Sequence, residues 1–180
     1  MTNTPAARSN DTPWRILVWG GLAALLLVPL VAMQFTDEVV WTGFDFMLAA
    51  ILLGVVGAGF ELAARMSRSW VYRGGFAVAV VTGFLTVWVN LAVGMIGNEE
   101  NPANLIFTGV LLVAVVGAVV ARFRADGMVR AILLAAVAQA GCAAYAASIG
   151  HTRDAVFISI FCVFWLVSAG LFRLAARART

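Results

Sequence analysis

Leu105-Ile106-Phe107-Thr108-Gly109-Val110-Leu111-Leu112-Val113-Ala114-Val115-Val116-Gly117-Ala118-Val119-Val120-Ala121 runs for seventeen residues without a charge, between Asn104 and Arg122. A helix of that length is about 26 Å long, close to the roughly 30 Å hydrocarbon core of a bilayer. Outward from it, five further apolar stretches of similar length lie between polar breaks, at residues 16–33, 44–64, 74–96, 129–149 and 155–172. The stretches at 105–121 and 155–172 lie at the short end of the range for a spanning helix. Across all 180 residues 63% are hydrophobic and 12% charged, with a mean hydropathy of +0.97. Soluble domains carry about 45–50% apolar and about 25% charged residues. What remains outside the six stretches is too short for a soluble domain of about 50 residues, which excludes a nucleotide-driven motor. The sequence therefore predicts an all-α, polytopic membrane helical bundle of six transmembrane helices over residues 15–173. It is flanked by a disordered cytoplasmic tail, 1–14, and a basic cytoplasmic tail, 174–180.

Charge placement orients the bundle. All twelve basic residues are arginine, and cytoplasmic loops retain positive charge. With the amino terminus inside, Arg8, Arg15, Arg65, Arg68, Arg73, Arg122, Arg124, Arg130, Arg173, Arg177 and Arg179 are cytoplasmic and Arg153 alone is outside. Both termini are then cytoplasmic in a multi-pass protein of the bacterial cytoplasmic (inner) membrane. The net charge of +3 reports this orientation and is no nucleic-acid signal. Trp14, Trp70 and Tyr72 fall at the inner boundary and Trp41 at the outer one, as in aromatic belts. The first span, preceded by Arg8 and Arg15, is longer than a cleavable signal core and lacks a small-residue cleavage site, so it reads as a retained signal anchor. Pro29 is expected to kink it near its outer end.

Three hairpins share beginnings (Trp14-Arg15, Tyr72-Arg73, Val129-Arg130), which is the pattern of a threefold hairpin repeat; an Ala-, Val-, Leu- and Gly-rich chain with arginine at each inner boundary produces the same likeness. Small residues at intervals of four (Ala50, Gly54 and Ala58; Ala131, Ala135, Gln139, Ala143 and Ala147) predict close helix packing and a central fifth span. Phe157, Phe161, Phe164 and Trp165 on the sixth span suit lipid or gaps around the fifth. Cys142 and Cys162 have no C-x-x-C spacing and read as reduced packing residues.

Polar groups within the membrane are functional candidates. Glu61 precedes Arg65 by four residues, the order of a helical ion pair. Thr42 and Asp45 match a capping pattern, while Asp45 also faces the outer side. Asn90 and Gln139 each need a hydrogen-bond partner, expected across helices. The outer segment Gly97-Asn98-Glu99-Glu100-Asn101-Pro102-Ala103-Asn104 holds an N-cap followed by proline, Asn101-Pro102, and paired carboxylates, Glu99 and Glu100. A solvated acidic loop has the same composition as a cation site. His151 reads as an exposed loop histidine, and no second histidine exists for a haem. No catalytic motif, cofactor or metal is specified. The candidate ligand-binding residues are Asp45, Asn90, Glu99, Glu100 and Asn104.

The stretch from Trp88 to Asn104, about a tenth of the chain, resembles a segment of small uncharacterised bacterial inner-membrane proteins. The resemblance implies a bacterial membrane setting and no activity. The expected function is a binding, transport-accessory or partner-interaction component with an outer polar pocket, its partners being the lipid bilayer and a second copy or another membrane protein. The alternatives are a membrane-embedded enzyme using the outer carboxylates and a purely structural subunit.

Overall fold

The computed structural model describes residues 12–178, with side chains from residue 15. It is all-helical among those residues: α1 Thr12–Ala32, α2 Gly43–Met66, α3 Trp70–Ala92, α4 Ile106–Val120, α5 Ala125–Ser148 and α6 Thr152–Arg177, with a 3₁₀ turn, Pro102–Leu105, before α4. All six spans, counting the 3₁₀ turn with α4, are long and apolar enough to cross a membrane. Residues 12–14 of the expected tail are helical, and α6 carries on through 174–177, where Ala175 is buried. Arg8, Arg179, the rest of the amino-terminal tail and the Trp14 side chain lie outside what is described.

The chain groups into two compact units, Met1–Glu61 and Leu62–Thr180. In the first, α1 meets α2 at two points. The Arg15 guanidinium donates to Glu61, and the Trp19 ring covers Gly57, where a Cβ would come within 2.6 Å of the ring. Both contacts are four residues apart on their helices, as antiparallel neighbours require. Glu61 therefore pairs across helices with Arg15, which proximity in sequence to Arg65 did not indicate. The packed face of α2 includes Ala49, Leu53 and Val56, while Ala50 and Ala58 of the small-residue series are exposed.

In the second unit α3 packs on α6, α6 on α5 and α5 on α4. The α3–α6 and α4–α5 contacts are made close by small residues. Ser168 Oγ donates to the Gly75 carbonyl at 2.7 Å, where a Gly75 Cβ would lie 3.3 Å from the α6 backbone. Gly117 abuts Ala131 so tightly that a Cβ would come within 2.7 Å of the alanine methyl, and Gly127 stands in the same relation to Ala121 at 2.6 Å. Ala131, Ala135, Gln139 and Ala143 are buried on α5, the expected central helix, but the stripe then drifts to Ala146, leaving Ala147 exposed. α6 is also a core helix. Of the four aromatic residues expected to face lipid or fill gaps around the fifth span, Phe161 and Trp165 are 4% and 1% exposed and fill the core, while Phe157 and Phe164 are exposed.

The α4–α5 turn places two non-glycine residues in the left-handed region, Arg122 at φ 49° and Phe123 at φ 56°. That conformation is unfavourable for a bulky residue. It is held by a pair of helix-end hydrogen bonds, Phe123 N to Ala118 O and Arg122 N to Val119 O, and by Tyr72, whose hydroxyl donates to the Phe123 carbonyl at 2.6 Å. Tyr72 is thus 1% exposed, its ring edge-on to Phe172, and is a core residue rather than part of an aromatic belt. Trp70 is exposed and lies against the Arg73 guanidinium. α3 and α4, although consecutive, stay apart along most of their length.

Candidate functional site

α3 stops at Ala92, four residues before the apolar run ends, because Gly94 turns the chain at φ +73°. Only glycine suits this position: a Cβ there would lie 2.2 Å from the Asn98 carbonyl oxygen. Met95 and Ile96 then fold inward and are 2% and 0% exposed. Their backbone N–H groups both donate to Asn104 Oδ1, at 3.0 and 2.9 Å. The Asn104 amide nitrogen donates in turn to the Asn98 and Ile96 carbonyls. A single carboxamide thereby satisfies four backbone groups and fixes the 94–104 loop against the start of α4. Asn101 Oδ1 accepts from Ala103 N at 3.0 Å, the cap expected of Asn101-Pro102.

The loop is stapled from a second side. Asp154 Oδ2 accepts from Gly97 N at 2.9 Å and lies 2.8 Å from His151 Nδ1. His151 is the N-cap position of α6, and Gly150, at φ +92°, ends α5. Sequence reasoning read His151 as an exposed loop residue and missed this cross-link. The His-x-x-Asp spacing at a helix start was its one visible sign.

Between α3 and α4, under this loop, is a groove of about 390 Å³. Its mouth carries Glu99 and Glu100, both exposed and without an ion pair among the described residues. Leu91, Leu105, Phe107 and Leu111 make its walls apolar. Asn90 lines it as well. Its amide nitrogen donates to the Thr86 carbonyl of its own helix at 2.7 Å, while its Oδ1 is buried and has no donor among the described residues. The lining contains no histidine, cysteine, lysine or serine, and among the described residues no group of three or more His, Cys, Asp and Glu side chains is placed to hold a metal.

Four of the five candidate residues, Asn90, Glu99, Glu100 and Asn104, therefore border one groove. They are not chemically equivalent. The Asn104 carboxamide is committed to the loop and acts as a wall. Asp45 belongs to the first unit, where its Oδ2 accepts from Thr42 N and Thr42 Oγ1, each at 2.7 Å, in the cap of α2. That leaves the exposed carboxylates of Glu99 and Glu100, and the Asn90 Oδ1, buried in the wall and without a donor among the described residues. The apolar lining carried no sequence signal, since nothing separates a groove-lining leucine on a span from one facing lipid.

A second polar amide is buried deeper. Gln139 is 0% exposed, and among the described residues neither its nitrogen nor its oxygen has a partner; Trp165 Nε1 is likewise unpartnered there. The interhelical bonds expected of Asn90 and Gln139 are absent among the described residues. Thr82 and Thr86, buried on α3, donate to the carbonyls of Val78 and Thr82 on their own helix. Comparison of the chain with protein-family models, with curated proteins and with solved structures finds no match.

Proposed function

We propose that this chain is a binding or transport-accessory component of the bacterial cytoplasmic membrane, with both termini cytoplasmic. Its α3–α4 groove takes an organic cation with an apolar body from the outer side. The observation that carries this reading is the convergence of Asn90, Glu99 and Glu100 on one groove with leucine and phenylalanine walls. Ligand pockets are mostly apolar with a few placed polar groups. Two unpaired carboxylates at the mouth favour a cation and disfavour an anion. The apolar walls select a ligand with hydrocarbon to bury, and the free acceptor on Asn90 matches an N–H donor. A bare divalent ion would want more oxygen ligands than these three residues converge. The lining carries two carboxylates and two threonine hydroxyls but no imidazole or thiol, and binding is the reading its apolar walls favour. The arginine distribution supports the orientation that puts this mouth outside.

The test is thermal stabilisation of the detergent-purified chain by primary alkylamines of increasing length, with neutral alcohols, alkyl carboxylates and divalent cations as comparators. Stabilisation by alkylamines, rising with chain length, is the expected result, by about 2.7 kcal/mol at a hundredfold excess over Kd. Glu99→Gln with Glu100→Gln, and separately Asn90→Leu, each weaken the affinity about tenfold, or about 1.4 kcal/mol. Equal stabilisation by alcohols and amines, or no shift with any amine, rejects the reading.

A further inference from the structure

At the opposite end of the second unit, α5 and α6 border a trough of about 640 Å³. Its rim carries Arg130 on α5 and Arg173 and Arg177 on α6, with one carboxylate, Asp126. Three guanidinium groups against one acid leave the rim net positive by two. Among the described residues Arg130 and Arg173 have no ion pair or hydrogen-bond acceptor, unlike Arg73, whose guanidinium is held by the Ser67 and Ala64 carbonyls. Arginine forks match phosphate geometry, two N–H groups to two oxygens.

Below the rim the trough turns apolar within about two turns of helix. Leu133 and Leu166 flank it, 41% and 51% exposed. Gly170 forms part of the lining, and a Cβ there would meet nothing within 4 Å. The glycine is thus not needed for helix packing, in contrast to Gly117 and Gly127, and its effect is to keep the trough open. A free phosphate would use the rim alone. A phosphate joined to a hydrocarbon chain would use the rim and the trough together.

We infer that the α5–α6 trough seats an anionic phospholipid, its phosphodiester at Arg130 and Arg173 and one acyl chain running over Gly170. Basic pockets between transmembrane helices are known headgroup sites. The positively charged rim distinguishes an anionic lipid from a zwitterionic one, because a neighbouring ammonium would be repelled. The inference needs the helices to lie in a bilayer. It does not depend on the α3–α4 groove, which lies at the other end of the bundle and is read with different ligands.

Native mass spectrometry of the detergent-purified full chain tests it, with phosphatidylglycerol, with phosphatidylcholine of the same acyl chains, and with glycerol phosphate as the soluble source of the same chemistry. The expected result is a phosphatidylglycerol adduct at concentrations at least tenfold below those needed for phosphatidylcholine. Arg130→Gln with Arg173→Gln abolishes that preference, while Arg122→Gln with Arg124→Gln, on the α4–α5 turn at the same end, retains it. Gly170→Leu, which fills open space and leaves the rim intact, weakens the phosphatidylglycerol adduct at least fivefold. Equal binding of the two lipids, or a preference that survives loss of Arg130 and Arg173, overturns the inference. So does displacement of the lipid by equimolar glycerol phosphate, which would mark a soluble phosphate site.

Discussion

Three side-chain amides take different roles. Asn104 satisfies four backbone groups and builds a loop, Asn90 keeps one acceptor free beside a groove, and Gln139 is enclosed with both amide atoms unpartnered. An unsatisfied buried polar group costs about 1–3 kcal/mol. Gln139→Met keeps the side-chain length and removes the amide, so it is expected to raise stability by about 1 kcal/mol or more. Unfolding of the detergent-purified variant in sodium dodecyl sulfate measures this, and a loss of stability would mean that the amide has a partner in the native protein. Which amide is structural and which is available was not legible in the sequence. A residue name gives donors and acceptors, and only the backbone around it determines how many of them are already used.

At the scale of elements, length and boundaries were largely legible because hydrocarbon thickness and backbone hydrogen bonding leave a spanning segment little choice but a helix of about 20 residues. The exception is instructive. Residues 93–96 are apolar and read as the end of the third span, yet Gly94 breaks the helix and Met95 and Ile96 fold inward in a loop. Hydropathy records burial without distinguishing helix from buried loop. Small-residue stripes were legible as packing faces but not in register: α5 is buried along most of the expected stripe, whereas α2 buries a neighbouring one. The α4–α5 contact gives a direct test. Gly117→Val places methyl groups where a Cβ alone would already stand 2.7 Å from Ala131, so the helices must separate. The expected cost is about 1–3 kcal/mol, and Ala131→Gly in the same chain should recover part of it. A variant as stable as the parent would show that α4 and α5 do not approach this closely.

At the scale of the whole molecule, the arginine pattern makes one prediction independent of any ligand. Reporter fusions at residue 100 and residue 126 should report the outside and the cytoplasm respectively. The same compartment at both positions would contradict the six-span topology, and a reversal would place the Glu99–Glu100 groove on the cytoplasmic side. The sequence by itself determined an all-helical chain with six segments able to cross a membrane, because apolar length and the demand for internal hydrogen bonding act locally along the chain. Only the tertiary structure decided that α3 and α4 part to form a groove, that Asn104 and Asp154 pin its loop, and that Phe161, Trp165 and Tyr72 are core. Those outcomes depend on which helix faces meet and how closely. In a chain this uniformly apolar, that is set by the shapes of glycine, alanine and the aromatic residues in contact, and hydropathy carries no record of it.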